Sequence, residues 1–231
     1  MTSIAAILPA FNEEKGIGRV LDILCQSKVL TEIIVVDDGS VDGTASIIEY
    51  FRKKDPRIFV CRHATNLGKG QSVMTGFLAS TSKYILTIDA DLFGLTPDHL
   101  VDLVEPVLYG EADMTLGIFR GGNWATDLSH RLAPWLTGQR CLRRDLIRDI
   151  DWKAATGYGL ETAITIAGQK HSWRHRKVYW QGVSHPPSEG HRGLLKGIFN
   201  RSKMYCHILR AWYLASRDQL VAKIIPSSPK D

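Results

Sequence analysis

Asp89 and Asp91 stand either side of a single alanine, directly after Lys83-Tyr84-Ile85-Leu86-Thr87-Ile88. That apolar, β-branched run reads as a buried strand, so two carboxylates sit where a core strand ends. Successive strand residues point to opposite faces, and positions i and i+2 share a side. Such a pair offers hard oxygen ligands to Mg²⁺ or Mn²⁺, ions that bind diphosphates. Without a cation, two close carboxylates repel and one tends to keep a proton. The plainer reading makes Asp89 a cap and Asp91 a solvated charge, because Asp-x-Asp is a common tripeptide.

Two further stretches could do related chemistry. Asp37-Asp38-Gly39-Ser40 follows the apolar run Glu32-Ile33-Ile34-Val35-Val36 and opens a helix. A carboxylate there can accept from a ribose hydroxyl or a base N–H; alternatively Ser40 or Asp42 only caps the next helix. Asn66-Leu67-Gly68-Lys69-Gly70 also precedes a helix. Its glycines permit close backbone approach and Lys69 can meet phosphate, but the spacing is not that of a P-loop. Arg140, Arg143 and Arg144 form a cluster able to grip phosphate in bidentate fashion, or else a solvated basic face.

These residues need a scaffold, and the apolar spacing supplies one. Strands are expected at residues 4–8 (stopped by Pro9), 32–36, 57–61 and 83–88, with helices at 18–26, 44–51, 70–79 and 97–108, the last capped by Thr96 with Pro97 in its first turn; after Asp113–Gly117 the pattern loosens. Alternating strand and helix implies a mostly parallel α/β sheet covered on both faces, with ligands at the carboxyl ends of the strands. Pro9-Ala10-Phe11-Asn12-Glu13, Asp37–Ser40 and Asp89–Asp91 all fall at such ends. Residues 118–160 carry few periodic signals and read as loops and short helices. A helix is expected at 159–167, a returning strand at 176–181, and an amphipathic basic helix at 194–216.

The order and spacing of Leu8–Glu13, Val35–Thr44, Asn66–Gly70 and Asp89–Asp91 resemble family 2 glycosyltransferases of the GT-A fold across residues 1–118. Gly138–Arg144 and Gly157-Tyr158-Gly159-Leu160-Glu161-Thr162 resemble the acceptor side of polyprenyl-phosphate sugar transferases and glucosyl-3-phosphoglycerate synthase relatives. The resemblance implies one domain over residues 1–193, its nucleotide-sugar half at 1–118 and a looser acceptor half at 119–193, followed by a C-terminal helix and tail at 194–231. It implies that Pro9, Ala10, Phe11 and Glu13 line the nucleoside pocket and that Asp38 meets base or ribose. Lys69 would lie near the nucleotide, with Asp89 and Ala90 at the ribose or the metal shell. Asp91 would bind the metal, and His185 or His191 would supply a late third ligand. Arg140, Gly157 and Tyr158 would face the acceptor, with Glu161 as the general base.

The implied reaction is inverting transfer of a sugar from a UDP- or GDP-sugar, with Mg²⁺ or Mn²⁺ as Lewis acid. An alcohol acceptor needs a base, whereas a phosphate acceptor is already an anion and needs none. A polyprenyl phosphate or other phosphorylated acceptor is expected first, and a soluble sugar or hydroxy acid second. A non-catalytic nucleotide-sugar module remains the other reading.

The rest of the composition fits. The chain has 231 residues, 44% hydrophobic and 23% charged, with a formal net charge of +5. That charge favours anionic partners, but the acidic rim argues against nucleic acid. Four scattered cysteines read as reduced thiols. With no signal-like start and no apolar run of about 18 residues, the chain reads as cytoplasmic. The 194–216 helix leaves two options open, peripheral contact with the inner membrane face and packing or homodimerisation.

Overall fold

Strand and helix alternate through the first 120 residues in the computed structural model, which describes residues 2–121, 137–153, 155 and 159–185. The order is β1 (Ile4–Ala10), α1 (Ile17–Gln26), β2 (Glu32–Asp37), α2 (Thr44–Lys54), β3 (Ile58–Arg62), α3 (Lys69–Ala79), β4 (Tyr84–Thr87), α4 (Pro97–Leu108) and β5 (Met114–Arg120). Then come β6 (Arg140–Arg143), a 3₁₀ segment (Arg144–Asp149), α5 (Leu160–Lys170) and β7 (His175–Gln181). The chain divides into two units, residues 1–187 and 188–231, and every described residue lies in the first. The expected helix at 194–216, together with Gly157, Tyr158 and His191, lies outside the described residues.

The sheet runs β3-β2-β1-β4-β6-β5-β7, with β6 antiparallel to both its neighbours and the other pairs parallel. Alternation along β1 decides which helices cover each face. Ala6 and Leu8 join the core with residues of α1, α2 and α4. Ala5 and Ile7 join the core with α3 and α5. All four are fully buried, which is why this strand reads as a continuous apolar run rather than an alternating one. Each large side chain so buried contributes about 1.5–3 kcal/mol.

Two expectations are corrected. Pro9 does not stop β1; it lies within it, opposite Val36. The Ile7 carbonyl accepts from Ile88 N at 3.1 Å, and the Ala10 carbonyl from Asp38 N at 2.8 Å. Pro9 therefore faces the β4 side, beyond the last residue of β4, where no ladder bond asks for its missing N–H. In the stretch read as loops, β6 wedges an antiparallel strand between β4 and β5. Its four residues, with arginine at both ends, are too few to declare a period.

Local polar clamps hold the elements. Thr96 and His99 form a reciprocal capping box on α4. Arg57 ties the α1–β2 turn to β3: Nη1 donates to the Ser27 and Leu30 carbonyls at 2.7 and 3.0 Å, and Nη2 to the Cys25 carbonyl at 2.6 Å and to Asp55 Oδ2 at 2.6 Å.

Candidate active site

In the sheet order, β2 and β4 flank β1 on opposite sides, so the chain switches direction across the sheet between β1 and β4. Crevices at such points collect ligands. The loop leaving β1 is stitched to the loop leaving β2. Asn12, in a left-handed conformation (φ 56°), accepts from Val41 N at 2.9 Å and donates its own N–H to Ser40 Oγ at 3.0 Å. Glu13 N donates to Thr44 Oγ1 at 2.8 Å, and Gly43 N donates to Glu14 Oε2 at 2.9 Å. Asp42 accepts from the Thr44 N–H at 3.0 Å and so satisfies a backbone amide at the start of α2, whose N-cap is Gly43. Gly16 then presses on the Asp-x-Asp turn: a Cβ there would lie 2.8 Å from the Ala90 carbonyl oxygen and 2.9 Å from Asp91 Cα.

The two aspartates at the end of β2, Asp37 and Asp38, are buried. Asp37 accepts from Arg62 Nη2 at 2.8 Å and from Ser40 N at 2.9 Å. Asp38, only 3% exposed, accepts from Leu67 N at 2.9 Å, Gly68 N at 2.8 Å and His63 Nδ1 at 2.7 Å. In this state the carboxylate expected against a base or ribose holds the loop that delivers Lys69. His63 passes the link on to Thr75 Oγ1 at 2.9 Å.

Lys69 stands at the centre. Its Nζ lies 2.7 Å from Asp89 Oδ1 and 2.8 Å from Glu161 Oε1, with a third of its side chain exposed. Burial pulls the ammonium down, but the two carboxylates outweigh it and hold its pKa above the usual lysine value. Asp89 is the counterpart: burial pushes it up, yet Lys69, His185 and the Gln139 amide hold it below the ordinary carboxylate range. Gln139 is fully buried, donating Nε2 to Asp89 Oδ2 at 2.7 Å and accepting from Asp89 N at 3.0 Å through Oε1. Gly138 leaves the room for this junction.

A short antiparallel bridge brings in the third candidate ligand. Phe93 N donates to the Ser184 carbonyl at 2.9 Å, and Ser184 N to the Phe93 carbonyl at 3.1 Å. His185 thereby meets Asp91, its Nδ1 3.0 Å from Oδ1, while its Nε2 lies 3.9 Å from Asp89 Oδ2. Ligand atoms of Asp89, Asp91 and His185 all lie within 4.8 Å of one another. Burial lowers the imidazole pKa, but its bond to Asp91 and the charge of both aspartates raise it above the ordinary value. Glu13 feels the same cluster from the other side. Burial first, then Asp91 and Asp89, raise its carboxyl to about 7. Pro9 and the buried Ala10 end β1, Ala90 between the two aspartates is buried, and Phe11 is 40% exposed.

The acceptor-side residues separate. Glu161, in the first turn of α5, reaches Lys69. Arg140 is 1% exposed; its guanidinium donates to the Thr137 carbonyl at 3.0 Å, the Glu161 carbonyl at 3.2 Å and Thr165 Oγ1 at 3.3 Å. Burial lowers its pKa to about 10, against the opposing pull of Glu161. Arg140 therefore braces the start of α5 from beneath. Arg143 and Arg144 lie at the other end of β6, opposite and beyond Tyr84 rather than Thr87. His63 had no signal of its own in the sequence beyond being a polar residue beside a strand, and Gln139 fell within the Gly138–Arg144 resemblance without a role of its own.

Residues 5–182 match the family model described as Glycosyl transferase family 2. An uncharacterized protein of Methanocaldococcus jannaschii is 40% identical over 117 residues, 49% of this chain and 45% of that protein. A dolichyl-phosphate beta-glucosyltransferase of Dictyostelium discoideum is 31% identical over 62% of this chain and 45% of its own length. An undecaprenyl-phosphate mannosyltransferase of Micrococcus luteus is 28% identical over 71% of this chain and 76% of its own. The chain spans about half the length of the first two of these relatives. Among solved structures, glucosyl-3-phosphoglycerate synthase from Mycobacterium tuberculosis, in complex with Mn²⁺, UDP and glucosyl-3-phosphoglycerate, superposes with a TM-score of 0.72. It is 24% identical, and the superposition covers 91% of this chain and 80% of that one.

Proposed function

Because this chain belongs to glycosyl transferase family 2, we propose that it moves a hexosyl group from a UDP- or GDP-sugar to a phosphorylated acceptor, with inversion at the anomeric carbon and with Mg²⁺ or Mn²⁺ bound. The observation that carries this reading is the meeting of Asp89, Asp91 and His185 with Lys69 and Glu161 on one rim. Two carboxylates and an imidazole converging within 4.8 Å are a chemically suitable set for one divalent ion. Asp91 and His185 would hold the ion, with Asp89 beside it, since Asp89 already answers to Lys69 and Gln139. Once bound, the ion supplies Lewis-acid neutralisation of the departing diphosphate.

The protein's own groups do the rest. The loop from Pro9 to Glu13 borders the nucleoside, with the Phe11 ring free to cover it. Lys69 brings a fixed positive charge to the diphosphate side. Glu161 Oε1 is bonded to Lys69, which holds the carboxylate at the acceptor side of the rim. Glu161 takes the proton of a hydroxyl acceptor; toward a phosphate acceptor it orients and needs to remove nothing. Arg140 acts through Glu161, bracing the turn that carries it. Gly157 and Tyr158, by the resemblance, complete the acceptor side. The names of the dolichyl-phosphate and undecaprenyl-phosphate relatives support a polyprenyl phosphate as the acceptor. Such an acceptor implies peripheral contact with a membrane; no described helix is long and apolar enough to cross one.

Transfer of radiolabelled sugar from UDP- and GDP-sugars to polyprenyl phosphate, with Mn²⁺ and with chelator, tests the reading. Chelation and Asp91→Asn should each lower transfer more than a hundredfold. Glu161→Gln should cost about 10²- to 10⁴-fold with an alcohol acceptor and far less with a phosphate. Metal-independent transfer, with Asp91→Asn equal to wild type, would defeat the proposal.

A further inference from the structure

β6 separates the arginines that stand together in the sequence. Arg140 pairs with Thr87 at the catalytic end of β4, whereas Arg143 pairs with Tyr84 at the far end, about 10 Å further along the strand. There the chain forms an open cleft of about 790 Å³, between the last turn of α4, the start of β4 and the 3₁₀ segment. Its polar lining is Lys83, Arg143, Arg144, Asp145 and Arg148, with Tyr84 at the wall. The size falls within the range of small-molecule sites.

The charge there is not balanced. Arg143 is neutralised: Nη2 lies 2.6 Å from Asp145 Oδ2, and Nη1 lies 3.2 Å from Asp113 Oδ1. Lys83, Arg144 and Arg148 make no ion pair among the described residues. Arg144 is nonetheless held still, because Nη1 donates to the Phe77 carbonyl at 2.9 Å and its backbone N donates to the Lys83 carbonyl at 2.9 Å. A carbonyl bond fixes a guanidinium without cancelling its charge. Oriented guanidiniums with a neighbouring ammonium suit the tetrahedral oxygens of phosphate. A concave cleft suits a small anion better than it suits a flat macromolecular face.

We propose that this cleft is a second anion site, which binds a phosphoryl or diphosphoryl group at the end of the central strands opposite the catalytic carboxylates. The group can come from a free phosphoester or from a lipid headgroup.

Calorimetric titration of the full chain with inorganic pyrophosphate, at low salt with chelator present, reads the first source. Flotation with vesicles of phosphatidylglycerol in phosphatidylcholine, against phosphatidylcholine alone, reads the second. Lys83→Gln/Arg148→Gln should weaken binding at least tenfold in one arm or both. Arg148→Gln alone, at an exposed position, should move it the same way should the double variant unfold. A loss confined to pyrophosphate assigns a soluble phosphoester, a loss confined to vesicles assigns a headgroup, and a loss in both means that either source serves. Lys28→Gln/Lys53→Gln, which removes the same charge from exposed positions elsewhere, should change neither arm. Equal weakening by that control, no difference between variant and wild type, or no wild-type binding in either arm overturns the proposal.

Discussion

Position 138 has no room for a side chain. A Cβ there would lie 2.5 Å from Lys69 Nζ and 2.7 and 2.8 Å from the two Asp89 oxygens. Those atoms are the ends of flexible side chains, so Gly138→Ala should fold, with a melting temperature within about 4 °C of wild type. The displaced ammonium and carboxylate would no longer meet Glu161 and Gln139. A misplacement of about 1 Å at reacting groups costs up to about a hundredfold in rate, so kcat/KM should fall at least tenfold while the melt hardly moves. A parallel loss of rate and stability would instead mark the position as structural. The same junction shows what residue types alone convey. Aspartates at a strand end announce an acidic rim. Gln139, which both donates to and accepts from Asp89, is a polar residue after a glycine and announces nothing.

The Asp55–Arg57 clamp belongs to the scale of elements, since it joins α1, β2 and β3 through three carbonyls and one carboxylate. The Arg57 guanidinium holds the Asp55 carboxyl at about 2, against an ordinary value of 3.8. A carboxylate depressed on folding contributes stability above its unfolded pKa and loses it as pH falls through the folded one. At neutral pH the contribution is about 2 kcal/mol. Urea unfolding of Asp55→Asn should therefore show a deficit of about that size at neutral pH, closing between about pH 4 and about pH 2. A deficit that stayed constant over that interval would show that lost packing, and not the ionised pair, was responsible. Element boundaries were legible wherever apolar spacing was long: α4 runs over the expected 97–108, between Thr96 and Tyr109. They were not legible at β6.

At the scale of the whole molecule, the rim is built from the ends of β1, β2 and β4, from the residue before β6, from the start of α5 and from the segment after β7. Ligands that bind only this assembled state raise its stability. UDP or GDP with Mn²⁺, at about a hundred times Kd, should raise the melting temperature by roughly 5–10 °C. Neither component should match the pair, and Asp91→Asn should abolish the shift. Equal shifts in wild type and variant would move nucleotide binding away from these carboxylates.

Hydropathy period alone determined that this chain is a layered α/β protein. It also put acidic loops after Leu8, Val36 and Ile88, the first of them two residues short of where β1 ends, because the period of the apolar residues states which face each one buries. Only the tertiary structure decided which of the distant groups meet. His185 joins Asp91 across 94 residues of chain through a two-residue bridge with Phe93. The antiparallel insertion of β6 places Arg140 opposite Thr87, where it braces the start of α5, and carries Arg143 and Arg144 to the other end of β4. Direction and partner of a strand are settled by packing against the whole sheet and by loop closure over long separations, and neither leaves a mark in local spacing.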